Sequence, residues 1–269
     1  MGNQTGEDGC GRRAVLMSTG VGILGSLAGC TGDSSLSDDE GSNGDDSDDR
    51  PPKPDPIYDE PLTVEEVMPR HREWVMSQDS FSVDIRQSAF GNAATGQINV
   101  VGDRRLFEIS SESSSDSSII YRSSDGHAYQ RDNFDDSVSY QTPDCDNITL
   151  DGIAGGGLDP NAIEETVEHV AFTYRETSFE EDEWVHIYAA DSIDVVDDEF
   201  LPFDDSEDGD VYFQLRIADS GYVAYFELEI ESPEGTNKIS IKYNDETGNV
   251  SEPSWVSEAE IAADGTHCE

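Results

Sequence analysis

Positive charge is what this sequence has least of. Fifteen lysines and arginines face sixty aspartates and glutamates, for a formal charge of -45, and only Lys53, Lys238 and Lys242 are lysines. Such a chain is repelled by nucleic acid, and no stretch forms a basic patch, so a nucleic-acid partner is excluded. Cysteine is scarce too. Cys10, Cys30, Cys145 and Cys268 stand apart, with no Cys-x-x-Cys pair for metal or redox work. Catalytic signatures are missing. There is no Gly-x-Ser-x-Gly elbow. His127, His169 and His186 each have an acidic neighbour within three residues, but none is spaced from another as metal ligands are, so no metal is expected. Asp191, Asp194, Asp197 and Asp198 do not follow the EF-hand pattern and read as a solvated loop. Paired catalytic carboxylates cannot be singled out of sixty acids. The expectation is a protein that is not an enzyme and has no cofactor.

A long apolar run is also lacking. The best stretch, Ala14 to Ala28, is short and glycine-rich for a membrane span. Its order is that of a secretory signal: a basic start, a modest apolar core, small residues, then a break. Arg12 and Arg13 before Ala14-Val15-Leu16 resemble a twin-arginine signal, which directs export of folded proteins, although Gly11 stands where Ser or Thr is usual. Leu27-Ala28-Gly29-Cys30 resembles a lipobox. Residues 1–29 then read as a signal peptide, with Cys30 as the lipid-bearing new N-terminus and membrane lipid as its partner. Residues 30–59 are rich in Ser, Asp, Gly and Pro, with almost nothing to bury, and read as a disordered tether. The expected location is the extracellular face of the cell membrane.

The acid is spread from Asp84 to Glu269 rather than gathered in a tail. Self-repulsion at this charge destabilises a compact state unless concentrated salt screens it. In this the composition resembles proteins of extreme halophiles, which points to a salt-loving archaeal source.

Downstream the pattern is that of one folded domain. Leu62 to Met76 reads as a helix, with Thr63 as cap and Glu66 three residues on. Val64, Val67, His71, Trp74 and Val75 form its stripe, and Pro69 is expected to kink or restart it. From Ser80 the period changes to two. Phe81, Val83 and Ile85 alternate with polar residues, a turn falls at Gly91-Asn92, and Gln97–Val101 and Arg105–Ser110 follow as strands. Ser111–Ser118 reads as a polar loop that leaves the sheet incomplete. Ile119–Tyr121, His127–Arg131 and Val138–Tyr140 continue the meander. Ile148–Leu158, with Gly155-Gly156-Gly157, lacks the Lys-Ser/Thr of a phosphate loop and reads as flexible. Asp159-Pro160 opens a second helix from Asn161 to Val170. The clearest strands are Val211–Ile217, Tyr222–Ile230 and Asn237–Tyr243. Cys145 and Cys268 either pair or remain two thiols, and Asn147 and Asn249 head glycosylation sequons.

This layout resembles a group of haloarchaeal lipoproteins whose mature parts are similar to the LolA, LppX and LprG type of carrier. The likeness rests on the first helix, the meander through Ala128-Tyr129-Gln130-Arg131, the helix after Asp159-Pro160-Asn161, and the ending Val250-Ser251-Glu252-Pro253-Ser254-Trp255. It implies an α+β fold over residues 60–262, with 263–269 as a tail. The sheet would be curved and antiparallel, an incomplete barrel packed over two or three helices. It also implies a lipid or other apolar ligand in the sheet's concavity, lined by Phe81, Val83, Ile85, Ile98, Val100, Trp184, Ile187, Phe213 and Tyr225. The competing expectation is a structural or interaction protein of the envelope with no ligand pocket.

Overall fold

The computed structural model describes residues 51–268, apart from 90–91, 136, 158–160, 193–195, 197–209, 233–234, 246–249 and 264–265. Arg12, Arg13, Leu27, Ala28, Gly29, Cys30 and Asn249 lie outside the described residues, as do Asp159 and Pro160.

Alternating apolar residues build one large antiparallel sheet. Its strands are β1 (Ser80–Ala89), β2 (Asn92–Val101), β3 (Arg104–Ser111), β4 (Ser117–Arg122), β5 (His127–Phe134), β6 (Ser137–Gln141), β7 (Thr173–Glu180), β8 (Glu183–Ala190), β9 (Asp210–Ala218), β10 (Val223–Ser232), β11 (Gly235–Asn244) and β12 (Thr266–His267). They run in the order β12-β5-β4-β3-β2-β1-β11-β10-β9-β8-β7, with β6 beside β5. The sheet is open and does not close into a barrel. The turn from β9 to β10 needs Gly221, whose φ is +98°.

Register places one apolar row per strand on the inner face. Val83 faces Tyr243 and Ile98. Phe226 faces Ile241 on one side and Leu215 on the other. Helix α1 (Val64–Ser77) covers this face with Val67, Met68, His71 and Val75. Its ring of Trp74 stacks on Tyr222 at 4.0 Å. The helix runs on through Pro69 without restarting. Thr63 Oγ1 donates to Glu66 Oε2 at 2.8 Å rather than capping a backbone N–H. Helix α3 (Ala162–His169) adds Ile163 and Val167 to the same core.

Four expectations change. Ile148–Leu158 is not a loop: Leu150–Gly155 forms helix α2, preceded by a single 3-10 turn at Asp146–Ile148. Thr149 Oγ1 accepts from Gly152 N at 3.0 Å, the side-chain cap that starts it. The glycines serve close approach. A Cβ on Gly152 would stand 1.9 Å from the Asp146 carbonyl oxygen, and one on Gly157 would stand 2.7 Å from Ile98 Cδ1. Second, Ser117 and Ser118 are strand residues paired to both β3 and β5, so the sheet is continuous there. Third, the tail is tied in: β12 pairs with β5, and Cys268 is bonded to Cys145. Fourth, the folded part begins before residue 60. Tyr58 is buried, its N–H donates to Tyr188 Oη at 3.3 Å, and Tyr188 Oη donates to its carbonyl at 3.1 Å.

A fourth helix, α4 (Val256–Ala262), lies on the opposite face, where Val256 and Ala259 pack with Tyr121 and Tyr129. No helix among the described residues is long and apolar enough to cross a membrane.

The bond from Cys145 to Cys268 spans 123 positions. In the chain-entropy description such a loop closure stabilises by roughly 5 kcal/mol. A Cys145→Ser, Cys268→Ser double variant is therefore expected to lose about 2–5 kcal/mol in denaturant melts at constant salt. An unchanged midpoint would contradict the staple.

Candidate functional site

The inner face is filled. Phe81, Val83, Ile85, Ile98, Val100 and Phe213 are at most 2% exposed and join one cluster with α1, α2 and α3. The other three predicted lining residues do not join that cluster. Trp184 shares the face of Tyr188 near the turn from β7 to β8, where it packs edge-on against Phe179 at 5.1 Å. Its indole Nε1 is buried without a hydrogen bond. Ile187 pairs with Arg216, and Arg216 pairs with Tyr225, so Ile187 and Tyr225 point to the opposite face. A single lining of all nine residues is thus ruled out by register.

Two features remain. The first is an open groove of about 380 Å³ on the outer side, where Tyr225, Arg216 and Lys242 meet Glu180, Glu181 and Glu183. Its cations are already matched. Arg216 Nη1 lies 3.0 Å from Glu180 and Lys242 Nζ 2.8 Å from Glu181. The guanidinium of Arg216 sits over the Tyr225 ring at 5.0 Å. Burial, then the hydrogen bond to Glu227, pushes the Tyr225 phenol up to about 12. Burial also raises the Glu183 carboxyl. Such a groove offers acid and aromatic surface but no unmatched cation.

The second feature is a seam between β2–β4 and the cover formed by the 3-10 turn and α2. Ile98, Phe107, Ile120, Ile148 and Ile153 line it, together with Arg105 and Arg122. It is shut, with no room for a water molecule. Arg105 and Arg122 are 7% and 8% exposed and stand directly opposite each other across β3 and β4. Arg105 Nη1 donates to the Ile148 carbonyl at 2.9 Å, and its Nε is buried with no partner. Arg122 donates to the Cys268 carbonyl from Nε at 3.1 Å and Nη2 at 2.8 Å, and to the Asp103 carbonyl from Nη1 at 2.7 Å. Among the described residues no carboxylate ion-pairs with either. Desolvation, then the Arg122 charge, lowers Arg105 to about 10, partly offset by the charge of Asp103.

Neither arginine stood out in the sequence. The available signal was Arg105 in step with Phe107 and Ile109, a charge at an inward position of a strand. Asn147 is half-buried in the 3-10 turn. Among the described residues no group of three His, Cys, Asp or Glu side chains is placed to hold a metal ion.

Of the histidines, His71 is the informative one. It is fully buried beneath α1, edge-on to Tyr243 at 4.7 Å. The Val223 N–H donates to its Nδ1 at 3.2 Å, so the ring is neutral with its proton on Nε2. Nε2 faces the Ala154 carbonyl without a well-formed bond. Burial lowers its pKa from 6.5 to about 3.

The chain belongs to a family of unknown function, DUF7537, matched over residues 16–259. No curated protein matches it. Solved structures similar to this chain include three lipoprotein-type domains. The lipoprotein LppX of Mycobacterium tuberculosis is 10% identical, over 70% of this chain and 97% of that one, with a TM-score of 0.37. LprF from Mycobacterium bovis is 10% identical, over 71% and 96%, at 0.39. A putative outer membrane lipoprotein-sorting protein domain from Vibrio parahaemolyticus is 9% identical, over 74% and 100%, at 0.26. At these identities and scores the likeness assigns this chain no role and no ligand.

The His71 geometry makes a pH prediction. A histidine whose folded pKa is lowered contributes its full stability above the unfolded value, and loses it as pH falls from 6.5 towards 3. His71→Asn keeps an acceptor for Val223 and cannot gain a proton. Between pH 7 and pH 5 the native protein should lose about 2 kcal/mol more than this variant. Parallel loss in denaturant melts of the two would refute the assignment.

Proposed function

We propose that this chain is a lipoprotein, exported by the twin-arginine route and anchored through lipid on Cys30 at the extracellular face of the cell membrane. Its domain binds an apolar, lipid-like ligand between the inner face of the sheet and the cover of the 3-10 turn and α2. The observation that supports this reading is the seam itself. Five apolar side chains meet there beneath a helix of only six residues, Leu150–Gly155, the thinnest part of the cover. Helices this short owe their order to packing rather than to propensity, so α2 is ordered only while it stays packed on the sheet. Ligand entry requires its displacement, because the seam is shut. The role is one of binding and needs no catalytic group.

A second reading, an envelope interaction protein without a ligand, is favoured by the full burial of Phe81, Val83 and Phe213. Native mass spectrometry of the domain in concentrated volatile salt separates the two. Retention of an apolar molecule, or its uptake after solvent extraction, is expected under the first. Failure to bind any apolar molecule leaves the second.

The anchor is tested separately. Cys30→Ser should move the protein from the membrane fraction to the medium. A variant that stays with the membrane would defeat the lipid anchor.

A further inference from the structure

The unmatched arginines of the seam point to the ligand's chemistry, an inference that rests on the apolar-ligand reading above. Cations are rare in this chain, with fifteen against sixty acids. On the outer face Arg216, Lys238 and Lys242 each lie against a carboxylate. Arg105 and Arg122 differ in being buried without an ion pair among the described residues. They face each other across a strand pair and hydrogen-bond only to backbone carbonyls among the described residues. Like charges directly opposite each other in a ladder destabilise it. A buried cation without an ion-pair partner is worse, because its desolvation goes uncompensated. Neutral amides would serve the carbonyls of Ile148 and Cys268 without that cost. The arrangement is therefore poor as scaffolding and fits a site waiting for an anion.

The position along the strands adds a direction. Arg105 and Arg122 form the pair next to the turns at Gly102-Asp103 and Ser123–Gly126. Phe107 and Ile120 form the pair two residues further in, and Ile98 faces Phe107 from β2. Charge lies at the rim of the sheet and apolar surface about 7 Å deeper. We propose that Arg105 and Arg122 hold the anionic head of an amphiphile, a carboxylate or a phosphate, whose apolar chain lies along Phe107, Ile120 and Ile98. The planar guanidinium forks suit either head, since both present two oxygens to parallel N–H groups. Arg105 Nε, buried and unpartnered, is the donor that such a head would satisfy.

The test compares three radiolabelled probes of equal chain length: hexadecanoate, hexadecyl phosphate and hexadecanol. Each is mixed with the native protein in molar salt, and its co-elution on gel filtration is measured. One or both anions should be retained about ten-fold or more over the alcohol, the factor expected of a charge-assisted hydrogen bond. Which anion leads tells carboxylate from phosphate. Equal retention of all three overturns the anionic head but leaves the apolar-ligand reading standing. Retention of none overturns both. Arg105→Gln should abolish the preference for an anion over the alcohol, and an unaltered preference would overturn the placement. Because Arg105→Gln is buried and its folding is not assured, the head is also located in the native protein. A hexadecanoate bearing a diazirine beside the carboxylate should cross-link to Arg104–Ser111 or Ser117–Arg122. Cross-links confined to other elements would overturn the site.

Discussion

A sheet of twelve strands with one apolar face has to have that face covered, and most of this structure follows from how the cover is made. The large cluster from Phe81 to Tyr243 is sealed by α1, α2 and α3. None of these helices is built to stand alone. Helix α1 carries Pro69, α2 is six residues long and α3 eight. In water such segments are marginal, so they are helical because the sheet gives their apolar sides somewhere to go. The close approach of Gly152 and Gly157 belongs to the same fit, since any side chain there would push α2 off its neighbours. Tyr243 Oη donates to the Ile153 carbonyl at 2.7 Å and so ties α2 to β11 from below.

Charge is distributed around that cover by a second constraint, the shortage of cations. Arg72 on α1 ion-pairs with Glu164 of α3 and Asp151 of α2, and so links the three helices at their solvent side. Lys238 sits between Glu227 and Glu229 at 2.8 and 2.7 Å. Partly exposed pairs of this kind contribute little stability each, yet they relieve local repulsion in a chain of charge -45. Against that pattern, burying Arg105 and Arg122 with no ion pair to a described carboxylate is the least economical use of charge among the described residues. It ties the only unmatched buried cations among the described residues to the seam beneath the thinnest helix.

The strands were legible in the chain because one buried face imposes a period of two. Phe81, Val83 and Ile85 on β1 and Phe213, Leu215 and Ile217 on β9 show it. Where the pattern faltered, both faces are covered. Leu106 and Phe107 are adjacent because Leu106 packs in the cluster under α4 while Phe107 faces the inner core. Val185 through Ala190 are all buried, so nothing local to β8 says that Tyr188 faces in and Ile187 out. Part of the predicted lining was misplaced for that reason. Helix α2 was hidden by its glycines, which lower helix propensity and become intelligible only beside Asp146 and Ile98. The buried arginines were hidden by being two charges among seventy-five acidic and basic residues.

By itself the sequence determined the kind of domain: a meander of antiparallel strands, two helices, an acidic surface and no catalytic or metal-binding signature. These follow from local period and composition, which a chain carries without knowing its partners. The tertiary structure alone decided which face α1, α2 and α3 cover, that Cys145 reaches Cys268, and that two arginines meet across β3 and β4. Each is a contact between residues far apart in the chain or a choice between two faces of a strand. Neither is encoded by periodicity, because periodicity states which residues share a face and never what that face will meet.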